Sequence, residues 1–100
     1  RHLGSLKNIY YAASKTALHT ISRIIARESV PIRSNVIVPG YVFTSTYQQG
    51  RSESDIDQDK KAALNGSFVT SSDIAETILF IIKNKSINGA SISVDGGLRV

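Results

Sequence analysis

Residues 32–40 read IRSNVIVPG, and this stretch decides the fold class. It is short, rich in β-branched residues and without a regular apolar–polar alternation. Ile32–Val38 is therefore predicted to be a buried strand that stops at a Pro39-Gly40 turn. A second strand is predicted over Ala90–Val94, and the turn Asp95-Gly96-Gly97 closes it. An unalternating strand such as Ile32–Val38 indicates a parallel sheet that is covered on both faces.

Two amphipathic helices complete the pattern. Apolar residues at three- and four-residue steps predict the first helix over Tyr11–Glu28, before a proline that ends it. The second is predicted from an N-cap within Ser71–Asp73 to about Lys83. Between the helices, residues 41–71 are polar and irregular, with a short helix predicted near Asp55–Leu64. The apolar stripe of the first helix consists of Ala13, Ala17, Ile21, Ile24 and Ile25.

The order helix, strand, loop, helix, strand predicts an α/β architecture. Two strands alone cannot bury both faces of a sheet. The sequence also begins with Arg1 and contains no methionine. We therefore expect the 100 residues to be part of a longer chain.

Composition and charge argue against several classes of protein. The formal net charge is +4, but the lysines and arginines of residues 1–50 are spaced singly, as on an ordinary solvated surface, so no nucleic-acid partner is expected. No apolar run is long enough to cross a bilayer. Residues 1–7 contain no apolar leader either. We therefore expect no membrane partner and a cytoplasmic location.

No metal site is predicted. Cysteine is absent, and His2 and His19 have no partners at the spacing of metal ligands. The alternating acids of residues 55–59 are similar to those of a calcium loop, but Lys60 and Gly66 stand where that loop needs glycine and glutamate. These acids are therefore interpreted as part of a solvated loop.

Tyr11 and Lys15 are the candidates for chemistry. Because they are four residues apart on a predicted helix, their side chains share one face. A phenol is a weak acid near neutral pH, and an adjacent ammonium favours its phenolate. Such a pair can donate and accept the proton that carbonyl reduction or alcohol oxidation requires. The same spacing also arises by chance, and the alternative is a surface pair on an amphipathic helix.

Four motifs give this pair a context. They are YAASK from Tyr11, IRSNVIVPGYVFT from Ile32, DIAE from Asp73 and INGASISVDGG from Ile87. In this order and spacing, the set resembles the second half of the short-chain dehydrogenase/reductase family. The resemblance implies that residues 1–100 are the C-terminal part of one NAD(P)-binding domain with a Rossmann-like, doubly wound parallel sheet.

The resemblance also implies a role for each matching residue. Tyr11 would be the general acid and base that exchanges a proton with the substrate oxygen. Lys15 would favour the phenolate and hold the hydroxyls of the nicotinamide ribose. Pro39 and Gly40 would turn the chain at the edge of the sheet where ligands of open α/β sheets bind.

The implied cofactor is NAD or NADP. The Val42 backbone would bond to its carboxamide, and the Thr44 hydroxyl would reach the carboxamide or the pyrophosphate. Residues 45–66 would form a lid over a small carbonyl or alcohol substrate, with Phe43 and Tyr47 lining its pocket. Dimers and tetramers are common in the family, so a homodimer or homotetramer is expected.

The first half of the family's pattern has no counterpart here. No glycines fit the phosphate loop Gly-x-x-x-Gly-x-Gly, and Ser5 lies too close to Tyr11 to be the family's catalytic serine. The 100 residues alone are therefore expected to have no turnover. The alternative hypothesis is a non-catalytic remnant or assembly module that folds by packing on a partner, with Ala13, Ala17 and Ile21 serving assembly.

Overall fold

A computed structural model describes residues 9–98 of the protein. Residues 1–7, including His2 and Ser5, lie outside the described residues, so the predictions made for them concern a part of the chain that the structure does not describe. In chain order the elements are α1 (Ile9–Glu28), β1 (Val36–Pro39), α2 (Ser45–Gln48), α3 (Glu53–Ala62), α4 (Ser71–Lys83) and β2 (Ser91–Val94). None of these helices combines the length and the apolar character needed to cross a membrane.

The chain divides into two compact units. In the described residues, unit 1 comprises residues 9–36 with Ser86–Ser91, and unit 2 comprises Ile37–Lys85 with residues 92–98. The strands β1 and β2 pair with each other in a two-stranded parallel sheet. This order of helices and strands confirms the α/β prediction and is consistent with part of a Rossmann-like fold.

In unit 1, α1 packs through small and polar side chains. Ser22 and Ala26 are buried, and the Ser22 hydroxyl lies 2.8 Å from that of Ser34. On the same side of the helix, His19 Nδ1 lies 2.8 Å from Ser91 Oγ. The predicted apolar stripe, by contrast, is exposed, with Ile21 at 49%. The predicted stripe is therefore present on α1, but the segments of unit 1 that pack on this helix meet its serine–alanine side.

The first strand begins later than predicted because a side-chain network occupies its first residues. Asn35 Nδ2 donates to the Ile87 carbonyl at 3.1 Å, and Asn35 Oδ1 accepts from the Ala90 amide at 3.0 Å. The Ser34 amide donates to Asn88 Oδ1 at 3.0 Å. These bonds replace the strand ladder before Val36, so the predicted strand over Ile32–Val38 is wrong at its start.

In unit 2, two helices begin with reciprocal caps. Thr70 Oγ1 accepts from the Asp73 amide at 3.0 Å, and Asp73 Oδ2 accepts from the Thr70 amide at 2.9 Å. These bonds lower the pKa of Asp73 and make Thr70 the N-cap of α4, one residue before the predicted Ser71–Asp73. The helix ends at Lys83, as predicted.

The acids of residues 55–59 lie on α3 and not on a loop, which corrects their interpretation. Ser52 Oγ accepts from the Asp55 amide at 3.1 Å, and Asp55 returns the bond to the Ser52 amide at 3.2 Å. The cap fixes the start of α3 two residues before the predicted Asp55. The short helix α2 was not predicted.

Candidate active site

Tyr11 and Lys15 stand together on α1 in unit 1, as their spacing predicts. Lys15 Nζ lies 5.5 Å from the centroid of the Tyr11 ring, which is a cation–π contact. Tyr11 is 58% exposed, and among residues 9–98 none hydrogen-bonds to its hydroxyl. The pair therefore presents a phenol and an ammonium on an accessible helix surface.

The Pro39-Gly40 turn in unit 2 requires glycine. A Cβ on Gly40 would lie 2.8 Å from the Cα of Asp95, closer than two carbon atoms can stand. The Gly40 amide donates to the Val94 carbonyl at 3.0 Å, and Asp95 is buried with Oδ1 accepting from the Gly97 amide. The turn after β1 is thus packed against the turn after β2.

Val42 and Thr44 follow this turn and are held by backbone bonds. Val42 forms a parallel bridge with Val69, and its carbonyl accepts from the Thr44 amide at 2.8 Å. Thr44 is the N-cap of α2, where Oγ1 accepts from the Tyr47 amide at 3.1 Å. A hydroxyl that accepts a bond keeps its hydrogen for donation. Thr44 can therefore cap the helix and still donate to a ligand.

Four aromatic side chains of unit 2 form a cluster, which we call the aromatic wall. The ring centroids of Phe43 and Phe68 are 5.1 Å apart, and those of Tyr47 and Phe68 are 5.5 Å apart. Tyr41 lies 5.7 Å from Tyr47. Phe43 is 47% exposed, so part of the wall faces outward.

A polar triad, which we call the clamp, holds Tyr47 in this wall. Tyr47 Oη donates to Asp59 Oδ2 at 2.5 Å, and Arg51 Nη1 forms an ion pair with the same oxygen at 2.7 Å. The Arg51 guanidinium also lies 4.4 Å from the Tyr47 ring centroid. Burial, followed by the hydrogen bond to Asp59 and its charge, raises the pKa of Tyr47 to about 12.

Sequence reasoning missed Arg51 and Asp59. The one signal was the alternation of acids in residues 55–59, and it was interpreted as a solvated loop. On α3 these acids have separate uses: Asp55 caps the helix, Asp57 pairs with Lys61 at 2.9 Å and Asp59 joins the clamp.

The predicted site residues fall into two sets. Tyr11 and Lys15 belong to unit 1, whereas Pro39, Gly40, Val42, Phe43, Thr44 and Tyr47 belong to unit 2. A cavity of about 620 Å³ in unit 2 has other walls, made by Asn65, residues 67–69, one face of α4 between Asp73 and Phe80, and residues 93–97. None of the predicted site residues lines it, but the cavity adjoins the predicted site, because Phe68, Val69 and Asp95 of its walls contact Phe43, Val42 and Gly40.

Comparisons with known proteins place the chain in a family. The family model described as enoyl-(acyl carrier protein) reductase matches residues 2–99. Carbonyl reductase family member 4 of Xenopus laevis is 32% identical to 99% of this chain, over 41% of its own length. The 3-oxoacyl-(acyl-carrier-protein) reductase of Homo sapiens is 34% identical to 90% of this chain, over 37% of its own length.

A solved structure supports the same assignment. The crystal structure of a small-chain dehydrogenase in complex with NADPH shares 34% identity and a TM-score of 0.79, covering 91% of this chain and 43% of that one. The chain thus spans about two-fifths of the length of the curated relatives it matches. The chain belongs to the short-chain dehydrogenase/reductase family.

Proposed function

We propose that the full-length protein is an NAD(P)-dependent oxidoreductase that interconverts a carbonyl group and a secondary alcohol. The observation that carries this proposal is the contact between Lys15 and the accessible phenol of Tyr11, in a chain of this family. The two relatives described above carry the names of reductases, and the solved relative binds NADPH. These names support a reductase that uses NAD or NADP.

The residues present fit a nicotinamide nucleotide. The Lys15 ammonium offers three donors for ribose hydroxyls, and the Thr44 hydroxyl retains one donor for a carboxamide or phosphate. The backbone of Val42 is fixed by its bridge to Val69, which suits a role in orienting the carboxamide. A bound nicotinamide supplies or accepts the hydride. The Pro39-Gly40 turn, at the ends of the strands, keeps the backbone of Gly40 close to Asp95.

Tyr11 handles the proton in the proposed reaction. In the reducing direction, its hydroxyl gives a proton to the carbonyl oxygen while the carbonyl carbon gains a hydride. In the oxidising direction, its phenolate takes the proton of the alcohol. Lys15 assists both directions because its ammonium, 5.5 Å from the centroid of the Tyr11 ring, attracts the negative charge that develops on the oxygen during proton transfer.

The proposal concerns the full-length protein and not the 100 residues alone. These residues contain no glycine-rich phosphate loop and no serine at the family's position before the tyrosine. A phosphate loop holds the pyrophosphate of a dinucleotide through backbone amides at a helix N-terminus. We therefore expect no measurable turnover from residues 1–100 in isolation.

Tyr11→Phe in the full-length protein tests the assignment. The substitution removes only the hydroxyl, so we expect kcat to fall by about 10²-fold or more, while cofactor affinity, measured by calorimetry, stays near that of the wild type. Tyr10→Phe is the matched control, because Tyr10 is the neighbouring phenol and is 87% exposed. A Tyr11→Phe variant with wild-type kcat would remove Tyr11 from its role.

The second candidate function is assembly without catalysis, and the exposed apolar side chains of α1 favour it. Ala13, Ala17 and Ile21 are all exposed in unit 1. An assembly module predicts no turnover in the wild-type protein, together with loss of oligomers in Ile21→Glu. A homodimer or homotetramer that also reduces carbonyls agrees with the first proposal, since one helix can serve both purposes.

A further inference from the structure

We propose that Arg51 and Asp59 are positioning residues, which hold the aromatic wall in place so that the enzyme prefers carbonyl substrates with an apolar substituent. This inference rests on the proposed function and deepens it by naming a substrate class. Tyr47, Phe43 and Phe68 are the parts of the wall that matter to it.

The clamp is built to fix the side chain of Tyr47. Three contacts converge on that residue: the hydrogen bond from its hydroxyl to Asp59, the Arg51 guanidinium over its ring, and the Arg51–Asp59 ion pair that joins the two partners. The side chains of Arg51 and Asp59 are only 24% and 19% exposed. Water therefore competes weakly with these bonds, and salt screens them less than bonds on an open surface.

The clamp also ties two helices together. Tyr47 lies on α2, Asp59 lies on α3, and Arg51 lies in the segment between them. Separately, the wall ties α2 to residues outside the lid, since Tyr47 contacts the Phe68 ring at 5.5 Å and the Phe43 ring at 6.0 Å. Residues 45–66, which the family resemblance implies to be a lid, thus contain an internally bonded core.

The chemistry of the wall follows from this arrangement. Of the three rings of Tyr47, Phe43 and Phe68, only that of Tyr47 carries a hydroxyl, and this hydroxyl is committed to Asp59. What the cluster offers outward is the half-exposed ring of Phe43, which follows Val42 directly in the chain. If Val42 orients the nicotinamide carboxamide, we expect the ring of the next residue to lie near the reacting carbonyl and to contact its substituent. An alkyl or aryl substituent gains apolar contact there, whereas a hydroxylated one loses hydrogen bonds to water.

The experiment compares two carbonyl probes in the full-length protein. The probes are 2-octanone, which has an apolar chain, and dihydroxyacetone, which has hydroxyls on both sides of the carbonyl. We expect wild-type kcat/KM to be higher for 2-octanone. In Arg51→Gln and Asp59→Asn, we expect the KM for 2-octanone to rise about tenfold, with kcat within about threefold, because a loosened wall loses apolar contact in the ground state as well as in the transition state.

Two further variants separate positioning from general damage. Asp57→Asn removes the other ion pair of α3, whose side chains are 75% and 60% exposed, and we expect it to leave the preference unchanged. Arg51→Lys keeps the charge without the planar guanidinium that stacks on the ring and matches the carboxylate. We expect it to restore part of the preference for 2-octanone that Arg51→Gln loses.

A second readout does not depend on activity. Limited trypsin digestion cleaves after Lys60 and Lys61 at the end of α3, and mass spectrometry can follow both cuts. We expect cleavage there to be several-fold faster in Arg51→Gln than in the wild type. Trypsin cuts a helix only after local unfolding, and loss of the clamp makes local unfolding of α3 more frequent. Arg51→Gln leaves the sequence around these two sites unchanged, so any difference reports the clamp.

The outcomes separate this inference from the proposed function. A preference for 2-octanone that falls in both clamp variants but not in Asp57→Asn supports the inference. Carbonyl reductase activity with equal preference in wild type and clamp variants overturns it and leaves the proposed function standing. Absence of turnover with every carbonyl and both cofactors overturns the proposed function and this inference with it, and the digestion then tells whether the clamp exists as a structural device.

Discussion

Two tyrosines of this protein each precede a cation by four residues on or beside a helix, and they are used in opposite ways. Lys15 Nζ lies 5.5 Å from the Tyr11 ring centroid, and the Arg51 guanidinium lies 4.4 Å from that of Tyr47. In unit 1, the phenol is accessible. In unit 2, it donates to Asp59 and its ring packs in the aromatic wall.

The difference between the pairs is made by a third group and not by the spacing. Asp59 accepts the Tyr47 proton in a hydrogen bond and attracts Arg51, which turns a tyrosine–cation pair into a closed structural unit. The Tyr11 hydroxyl has no such acceptor within the described residues. A phenol whose hydroxyl makes no hydrogen bond can exchange a proton with a substrate. A phenol whose hydroxyl already donates to a carboxylate serves instead to keep its ring in place.

The largest expected effect comes from removing each cation in turn. Lys15→Met in the full-length protein should lower kcat/KM by about 10²-fold or more for every carbonyl substrate, because both the phenolate and the ribose lose their positive partner. Arg51→Met should lower kcat/KM much less, and chiefly for apolar substrates. Steady-state kinetics with 2-octanone and dihydroxyacetone checks this, and equal losses in the two variants would remove the distinction between the pairs.

The next effect concerns the stability of the clamp. Asp59→Asn leaves the Arg51 charge without its partner in a half-buried position, so we expect the local free energy of unfolding to fall by about 2 kcal/mol. Asp57→Asn removes an exposed pair and should cost less than about 0.5 kcal/mol. Hydrogen exchange of the α3 amides measures both values. Equal protection in the two variants would show that the clamp adds nothing beyond a surface ion pair.

Local patterns in the sequence were sufficient to predict one of the two pairs. The spacing of Tyr11 and Lys15 on a periodic helix defines their contact, because neighbours on a helix face are fixed by helix geometry. The end of α4 at Lys83 and the turn at Gly40 follow from equally local signals. The α/β order needed no information beyond periodicity and β-branching.

The remaining features depend on partners that are distant in sequence. The late start of β1 is set by bonds from Asn35 to Ile87 and Ala90, more than fifty residues away. The clamp joins Tyr47 to Asp59 across a helix boundary, and no periodic pattern links the two residues. Periodicity likewise marks the apolar stripe of α1, which is exposed in unit 1, without saying which element covers it.

A smaller effect on stability is expected when only the Tyr47 hydroxyl is removed from the clamp. Tyr47→Phe keeps the ring in the aromatic wall but leaves Asp59 with Arg51 as its partner, so we expect a loss of about 1 kcal/mol in the free energy of unfolding at neutral pH. Urea unfolding of the full-length protein measures it. Tyr10→Phe, on an exposed ring, should change stability by less than the error of the measurement. If Tyr47→Phe left the free energy of unfolding unchanged, the stability of the clamp would come from the Arg51–Asp59 ion pair alone.

The last effect is the dependence of that difference on pH. Burial and Asp59 raise the pKa of Tyr47 to about 12, whereas a phenol in an unfolded chain titrates near 10. Between these values the folded protein retains a proton that the unfolded chain has lost, so raising the pH stabilises the unfolded chain. The stability advantage of the wild type over Tyr47→Phe should therefore be constant from about pH 7 to pH 9 and shrink as the pH rises beyond about 10.

Urea unfolding of both proteins across this range measures the advantage. Tyr10→Phe is the control, because it removes one phenol hydroxyl from an exposed position. An advantage that persists unchanged to about pH 11.5 would mean that the Tyr47 hydroxyl is not held by Asp59 in the folded protein.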